Sequence, residues 1–381
     1  MKQNTTYKQT ELGLIPEDWE VKKLGEILKE YSLGGNYENN SEESEIPLIK
    51  MGNIGRGKID LSKIEYLPKN VNYSKNDILK YNDILFNTRN TLDLVGKVSI
   101  WKNEALFALY NSNLLRLYFK EDFVENNDYV NFQFNSEITL ANLKKYATGT
   151  TSVAAIYTKD LLKLKFLLPP LPEQKAIADC LSTWDVAIDK QSQLIELLTQ
   201  RKKALMQQLL TGKKRLPGFS EDWKEVKLGE IIIDYKEKPN DNNNYEIFTS
   251  SKNGLMKQTD YYGDNRITNR TDADYNIIPN GFITYRSRSD DGLFTFNLND
   301  LGVIGLISGY YPVFSFTKSN TQFLLSFLNY FKSKLIKYAI GTSQLVLSIN
   351  ALKEAKFKLP SLEEQTAIAE ILATADRELQ L

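Results

Sequence analysis

The chain has 381 residues, 42% hydrophobic and 25% charged, which is enough for two medium-sized hydrophobic cores. Its single cysteine, Cys180, excludes a disulfide framework, and the lack of any histidine removes the usual imidazole base and imidazole metal ligand. Lysine plus arginine number 48, as do aspartate plus glutamate, so a uniformly basic coat is excluded and any anion-facing charge has to be local.

Lys2, Lys8, Glu11, Glu17 and Asp18 interrupt the first stretch of chain, leaving neither a signal-peptide core nor a membrane span. The expected setting is cytoplasmic, with no membrane partner. The first recognisable element is residues 17–27, EDWEVKKLGEI, a tryptophan-bearing strand. An Asn-, Gly- and charge-rich stretch at 34–44 then reads as an exposed loop. Short β-branched and aromatic runs such as Ile84-Leu85-Phe86 follow as strands, and residues 165–179, KFLLPPLPEQKAIAD, pass through a proline turn into a helix.

That helix carries apolar residues at Ile177, Leu181, Trp184, Ile188, Ile195, Leu198, Leu205 and Leu209, in alternating steps of four and three that make a heptad seam. Gln191 and Lys202 occupy the two remaining seam positions, as simple tolerance or as polar groups that set register. Pro172 suits the first turn, Gly212 suits the C-terminal cap, and Lys202, Lys203, Lys213 and Lys214 meet the negative end of the helix dipole. A helix from Pro172 to Leu210 would be about 58 Å long, the length of roughly 17 base pairs.

The opening element then returns as EDWKEVKLGEI at 221–231, an offset of 204. A second polar loop lies at 236–244 and a second apolar run at Phe282-Ile283-Thr284. The helix start returns as KFKLPSLEEQTAIAE at 356–370, an offset of 191, with Ser361 and Glu364 spaced as a capping box and the seam continued by Ile368, Leu372, Ala375 and Leu379. The chain stops at Leu381, equivalent to Lys190, so this helix is shortened by about half. Packing antiparallel against the first helix would stabilise it.

Matched ends at two offsets near 200 mean one α+β unit used twice, with a diverged middle. The expected architecture is two similar α/β domains, 1–168 and 213–359, separated by long antiparallel coiled-coil helices, 169–212 and 360–381, in a pseudo-two-fold tandem repeat.

The runs IPLIKMGNIGRGKIDLSKIEYL (46–67), YNDILFNTRNTLDLVGKVSI (81–100) and LPPLPEQKAIAD (168–179), with the duplicated EDW element, resemble the specificity subunits of type I restriction-modification systems. The resemblance covers nearly the whole chain. It implies two target-recognition domains, each reading half of a bipartite, asymmetric double-stranded DNA target, on helices that dock two modification (methyltransferase) subunits. Restriction (endonuclease and translocase) subunits would complete the complex. S-adenosylmethionine, and ATP with Mg for restriction, would be bound by those partners, and this chain would bind no cofactor. No methyl-donor loop, Asn-Pro-Pro-aromatic tetrad, P-loop or nuclease carboxylate-lysine cluster is evident, so the chain is expected not to be an enzyme.

At an offset of 198, residues 82–90 align with 280–288, each an apolar strand running into a polar, arginine-bearing loop. Arginine suits guanine and asparagine suits adenine, which makes Asn87, Thr88, Arg89, Asn90, Tyr285, Arg286 and Arg288 candidate DNA contacts. The same loops also fit a solvated turn in which Arg89 and Arg286 pair with Asp93, Asp290 or Asp291. Lys50, Asn53, Arg56 and Lys58, spread through Gly52, Gly55 and Gly57, suit phosphates, although ordinary turn chemistry also explains the glycines. In the second repeat the polar-aromatic candidates are Ser250, Ser251, Lys252, Gln258 and Arg266, with Arg270 and tyrosines 261 and 262 nearby. Thr150, Thr151, Ser152 and Gln344 sit in matching Gly-Thr segments that equally suit hairpin turns. The other tyrosines and phenylalanines are expected in cores, since duplex DNA offers no unstacked base. Two alternatives remain, a two-headed protein-interaction module on a coiled-coil rod and, more remotely, a self-sufficient methyltransferase.

Overall fold

The computed structural model of the chain describes residues 6–68, 71–240, 245–262 and 275–380. They form two units, Met1–Lys190 and Gln191–Leu381.

In the first unit the opening strand Glu20–Lys23 pairs antiparallel with the closing strand Lys165–Leu168, Glu20 opposite Leu168 and Lys23 opposite Lys165. Between them lies an antiparallel sheet with strands in the order Leu28–Leu33, Leu114–Phe119, Ile84–Asn87 and Val98–Ile100. Its strand Ile84–Asn87 is buried on both faces, and alternation explains why. Ile84 and Phe86 enter a core with Val130, Phe134, Leu164 and Phe166, whereas Leu85 enters a second core with Ile49, Trp101 and Tyr110. Helices Asn127–Phe134 and Glu137–Tyr146 cover the first core. Asn126 and Ser136 cap them by accepting the backbone amides of Asp128 and Thr139.

The second unit repeats this plan. Lys224–Lys227 pairs antiparallel with Lys356–Leu359, and the strand order is Ile232–Tyr235, Val313–Phe316, Ile283–Tyr285 and Phe296–Leu298. Tyr285, Phe296, Phe314, Phe323 and Phe327 fill its main core.

One side-chain device closes both repeats. Trp19 Nε1 donates to Glu173 at 3.0 Å, and Gln174 Nε2 donates to the carbonyls of Pro169 at 3.0 Å and Phe123 at 2.9 Å. Trp223 Nε1 likewise reaches Glu364 at 3.3 Å, and Gln365 Nε2 reaches the Pro360 carbonyl at 3.0 Å. The expected capping box is therefore only half formed. The Glu364 amide donates to Ser361 Oγ at 3.3 Å, but its carboxylate is drawn inward to Trp223 and to the guanidinium fork of Arg215, two bonds of 2.7 Å.

The long helix spans Leu171–Leu209, 39 residues, and ends before Gly212 at φ +67°, which a glycine tolerates. Its seam is not continuously covered. In the first unit Ile177 is half-buried, while Leu181, Trp184 and Ile188 are exposed, Trp184 at 66%. In the second unit Ile195 is exposed and Leu198 and Leu205 are partly buried. Leu209 joins the core with Ile368 and Leu372 of the terminal helix Leu362–Gln380. There the two helices run in opposite directions, Arg201 meeting Glu378 at 2.7 Å and Lys202, one of the two polar seam positions, meeting Asp376. Leu379 is half-buried. The terminal helix shares its core with Phe323 and Phe327 of helix Thr321–Tyr330, so its stability does not rest on the seam alone.

The middles of the repeats differ most tellingly beneath the central strand. In the first unit Arg116 and Asp83 are 4% and 7% exposed and joined at 3.0 Å, and Arg116 also donates to the Ile78 carbonyl at 2.8 Å. Strand register puts Phe282 and Val313 at the corresponding places of the second unit, in one apolar cluster. Burial, working against the Lys80 amide and Arg116, holds the Asp83 carboxyl above its ordinary range. Arg116→Met should therefore destabilise the first unit by about 3–5 kcal/mol. The exposed cost should grow with pH, because the folded state then holds the Asp83 proton more tightly than the unfolded state does. Stability of this variant is fullest below the ordinary carboxylate pKa and falls as pH rises through the raised one. The double change Asp83→Phe with Arg116→Val, which copies the second unit, should recover most of the loss. Denaturant unfolding at two pH values checks both statements.

Candidate nucleic-acid interface

In each repeat the central strand runs on into a short exposed strand that carries an arginine. Arg89–Asn90 pairs antiparallel with Ala154–Ala155, and Arg288–Ser289 pairs with Leu345–Val346. The Ile156 amide donates to the Thr88 carbonyl, and the Leu347 amide to the Ser287 carbonyl. Arg89 thus corresponds to Arg288, at an offset of 199, which corrects the alignment at 198 by one residue. The turn before the strand explains the slip. Asn82 at φ +71° occupies the left-handed position that Gly281 fills at φ +82°, and asparagine and glycine both accept that conformation.

The corrected register changes which residues face outward. Tyr285 is fully buried, its hydroxyl donating to the Leu347 carbonyl at 2.9 Å, with burial pushing the phenol up. It is a core residue and not a surface contact. Arg286 and Arg288 are exposed on either side of buried Ser287. Ser287 Oγ donates to the Tyr310 carbonyl at 2.7 Å, and Thr88 Oγ1 makes the same bond to the Asn113 carbonyl at 2.8 Å.

The second unit gathers its candidates around one cleft of about 890 Å³. Lining it are Ser250, Ser251, Lys252, Gln258, Arg286, Arg288 and Gln344, together with Tyr261, Tyr262 and Tyr310. Ser250 is itself buried and accepts from Asn297 at 2.7 Å. Arg266 and Arg270 lie outside the described residues. The solvated-turn alternative required Asp290 or Asp291 to pair with Arg286, and among the described residues they do not. Asp290 accepts from Gln344 at 2.9 Å, and Asp291 pairs with Lys252 at 2.6 Å. Hydrogen bonds from Lys252, Ser289 and the Leu293 amide hold the Asp291 carboxyl well below its ordinary range. Both acids are thus engaged, and both arginines keep their donors. The Arg288 guanidinium lies over the Tyr310 ring, 4.8 Å from its centroid.

The first unit brings Arg89, Asn90, Thr150, Thr151 and Ser152 together, because one three-stranded sheet joins Thr148–Gly149, Ala154–Ala155 and Arg89–Asn90. Residues 149–153 form a hairpin turn closed by the Thr150 amide on the Val153 carbonyl at 2.8 Å, with Thr150 Oγ1 and Ser152 Oγ at 3.2 Å. Asn90 Oδ1 accepts the Thr91 amide at 2.8 Å. Arg56 Nη2 reaches the Asp93 carbonyl at 3.4 Å, and no ion pair joins Arg89 to Asp93 among the described residues.

Four first-unit candidates are committed elsewhere. Asn53, 2% exposed, holds a turn by accepting the Lys50 amide and donating to the Asp60 carbonyl, both at 2.9 Å. Asn87 is fully buried and accepts the Arg89 amide at 3.2 Å. Lys50 bridges Glu65 at 2.8 Å and Asn39 at 2.9 Å, and Lys58 pairs with Asp189 at 2.7 Å. Burial removes the two asparagines from the surface, and carboxylates neutralise the two lysines.

Tyr310 escaped the sequence reading, because its contacts with Ser287 and Arg288 join parts of the chain that no local pattern links.

A family model described as the type I restriction modification DNA specificity domain matches this chain twice, over residues 16–200 and 220–381. The chain belongs to that family. Membership places it among the DNA-recognition components of type I systems and not among their catalytic subunits. It is similar to the putative type I restriction enzyme MjaX specificity subunit of Methanocaldococcus jannaschii, 29% identical over 97% of this chain and 89% of the relative. Its fold is similar to the crystal structure of a type I restriction-modification S subunit from M. genitalium, with TM-score 0.59 and 15% identity over 95% of this chain and 90% of that one. A chain from a structural study of complex assembly and conformational transition in a type I system gives TM-score 0.52 at 19% identity, over 96% and 92%.

For a DNA-specificity domain the engaged carboxylates have a measurable consequence. Asp291→Asn should free Lys252 and remove one negative charge from the cleft, tightening duplex binding at low salt and steepening the salt dependence by about one unit of slope. Fluorescence anisotropy over a salt series reads both quantities.

Proposed function

We propose that this chain reads a bipartite, asymmetric duplex DNA target, one half-site per unit, and so directs adenine methylation and restriction by partner subunits. The observation that carries the reading is the repeated strand and hairpin that present Arg89 and Arg288 in like fashion amid unlike neighbours. Like positions give each unit the same way of approaching a duplex, and unlike neighbours give the halves different sequences. Residues 1–168 and 213–359 are the recognition domains, and 169–212 and 360–381 are the spacer helices. Arg56, Thr88, Arg89, Asn90 and the 150–152 hairpin make the first contact surface. Gln258, Arg286, Arg288 and Gln344 make the second, with Lys252 beside them held by Asp291.

The partners in this proposal are two modification subunits, which bind S-adenosylmethionine, and restriction subunits, which use ATP and Mg. The complex works in the cytoplasm, and no described helix is long and apolar enough to cross a membrane. The exposed seam residues Leu181, Trp184 and Ile195 supply apolar surface for the modification subunits.

Exchange of residues 217–359 for the same region of a relative should alter one half-site and leave the other intact, as mapped by genome-wide adenine methylation. A change in both halves would end the modular reading, and salt-independent or absent duplex retention would favour the two-headed protein-interaction module. Leu181→Glu with Trp184→Glu should abolish co-purification of modification subunits by at least tenfold while leaving the unfolding transition in place, since both side chains are already in water.

A further inference from the structure

We infer that Arg288, laid on the ring of Tyr310, reads a guanine in the half-site of the second unit, with Tyr310 as its positioning residue. The inference rests on the DNA-reading role proposed above and assigns it a base and a side chain.

Three observations converge on Arg288. Its backbone is fixed, because Arg288 is paired with Val346 in a two-stranded ladder and Ser287 before it receives the Leu347 amide at 2.9 Å. Its guanidinium carbon lies over the Tyr310 ring, 4.8 Å from the centroid. Its donors remain available, because the cleft's two acids are held by Lys252 and Gln344 and no ion pair or hydrogen bond takes the Arg288 side chain among the described residues. A planar fork set over a ring and not bound to a carboxylate keeps its paired N–H groups for an external acceptor with two neighbouring sites. The guanine edge, with O6 and N7 side by side in the major groove, matches that pattern. A phosphate would accept the same fork but would carry no sequence information.

The first unit supplies the contrast. The Thr88 bond that corresponds to the Ser287 bond goes to the Asn113 carbonyl, so the same device anchors the main chain of an asparagine there and of a tyrosine in the second unit. Among the described residues no ring lies over Arg89. The anchored position, 113 in one repeat and 310 in the other, is thus where the two units are differentiated around a common arginine.

The test is selection from randomised duplexes by the full chain in complex with its modification subunits, after the exchange of residues 217–359 has assigned the half-sites. Arg288→Ala and Arg288→Lys should each lose preference for one guanine in the second unit's half-site by on the order of tenfold or more, with every other position unchanged. Tyr310→Phe should retain the preference, and Tyr310→Leu should weaken it without abolishing binding. Retention of every base preference in Arg288→Ala, or a uniform loss of affinity across all sequences, would overturn the inference and make Arg288 a bystander or a phosphate contact. The same holds if Tyr310→Leu keeps full preference, which would remove the positioning role. If the unaltered chain selects nothing through the second unit, the underlying DNA-reading role fails with it, an outcome distinct from the others.

Discussion

Each unit depends on pairing the strand that follows its EDW segment with the strand that leads into its helix. The pairing of Glu20–Lys23 with Lys165–Leu168, repeated by Lys224–Lys227 with Lys356–Leu359, closes the intervening chain into a loop with fixed ends. The tryptophan of each EDW segment bonds the glutamate at each helix start, so the entry to the opening strand also locks the first turn of the helix. The adjacent glutamine returns to a carbonyl at the proline turn. This constraint explains why sequence identity survives at the two ends of the repeat. There the partners are specific polar groups, whereas a core accepts many apolar combinations of similar volume.

The freedom of the middle is visible at Asp83 and Arg116. A buried ion pair in one unit stands where Phe282 and Val313 meet in the other, beneath the same strand of the same sheet. Both solutions satisfy burial, one by pairing charges and one by excluding them, and such exchanges are close to neutral when both partners change together. What the sheet does keep is a hydroxyl after the central strand. Thr88 and Ser287 each tie the arginine strand to the neighbouring loop, so orientation is retained while the loop's side chains vary.

How much of this was legible in the sequence follows from the range of the interactions. The duplication, the two helices, the Gly212 stop and the arginine-bearing loops rest on local pattern and were readable. The candidate interface was readable only as segments. Matching Asn82 to Asn280 by identity shifted the register by one, because a left-handed turn accepts Asn or Gly and identity cannot say which residue does that work. That shift turned Tyr285 outward on paper, although its position in the alternation places it in the core. Asn53 and Asn87 failed for a related reason, since asparagine serves a buried turn as readily as it serves a base edge. Glu364 was read as half of a capping box from spacing, but a buried carboxylate goes to the strongest donor within reach, and Arg215 lies far off in sequence.

Balanced composition and DNA recognition are compatible here because the acids are spent locally. Lys58 and Lys50 are paired with Asp189 and Glu65, and Lys252 with Asp291, while Arg89, Arg286 and Arg288 have no such partner among the described residues. At these candidate positions, pairing the lysines and sparing the arginines leaves the groups with planar, directional donors exposed and mutes those that act as point charges. At these positions, then, the contacts left for DNA are a few oriented ones. For a protein whose task is discrimination this is the favourable arrangement, since nonspecific phosphate binding raises affinity for every sequence alike and adds nothing to the difference between them.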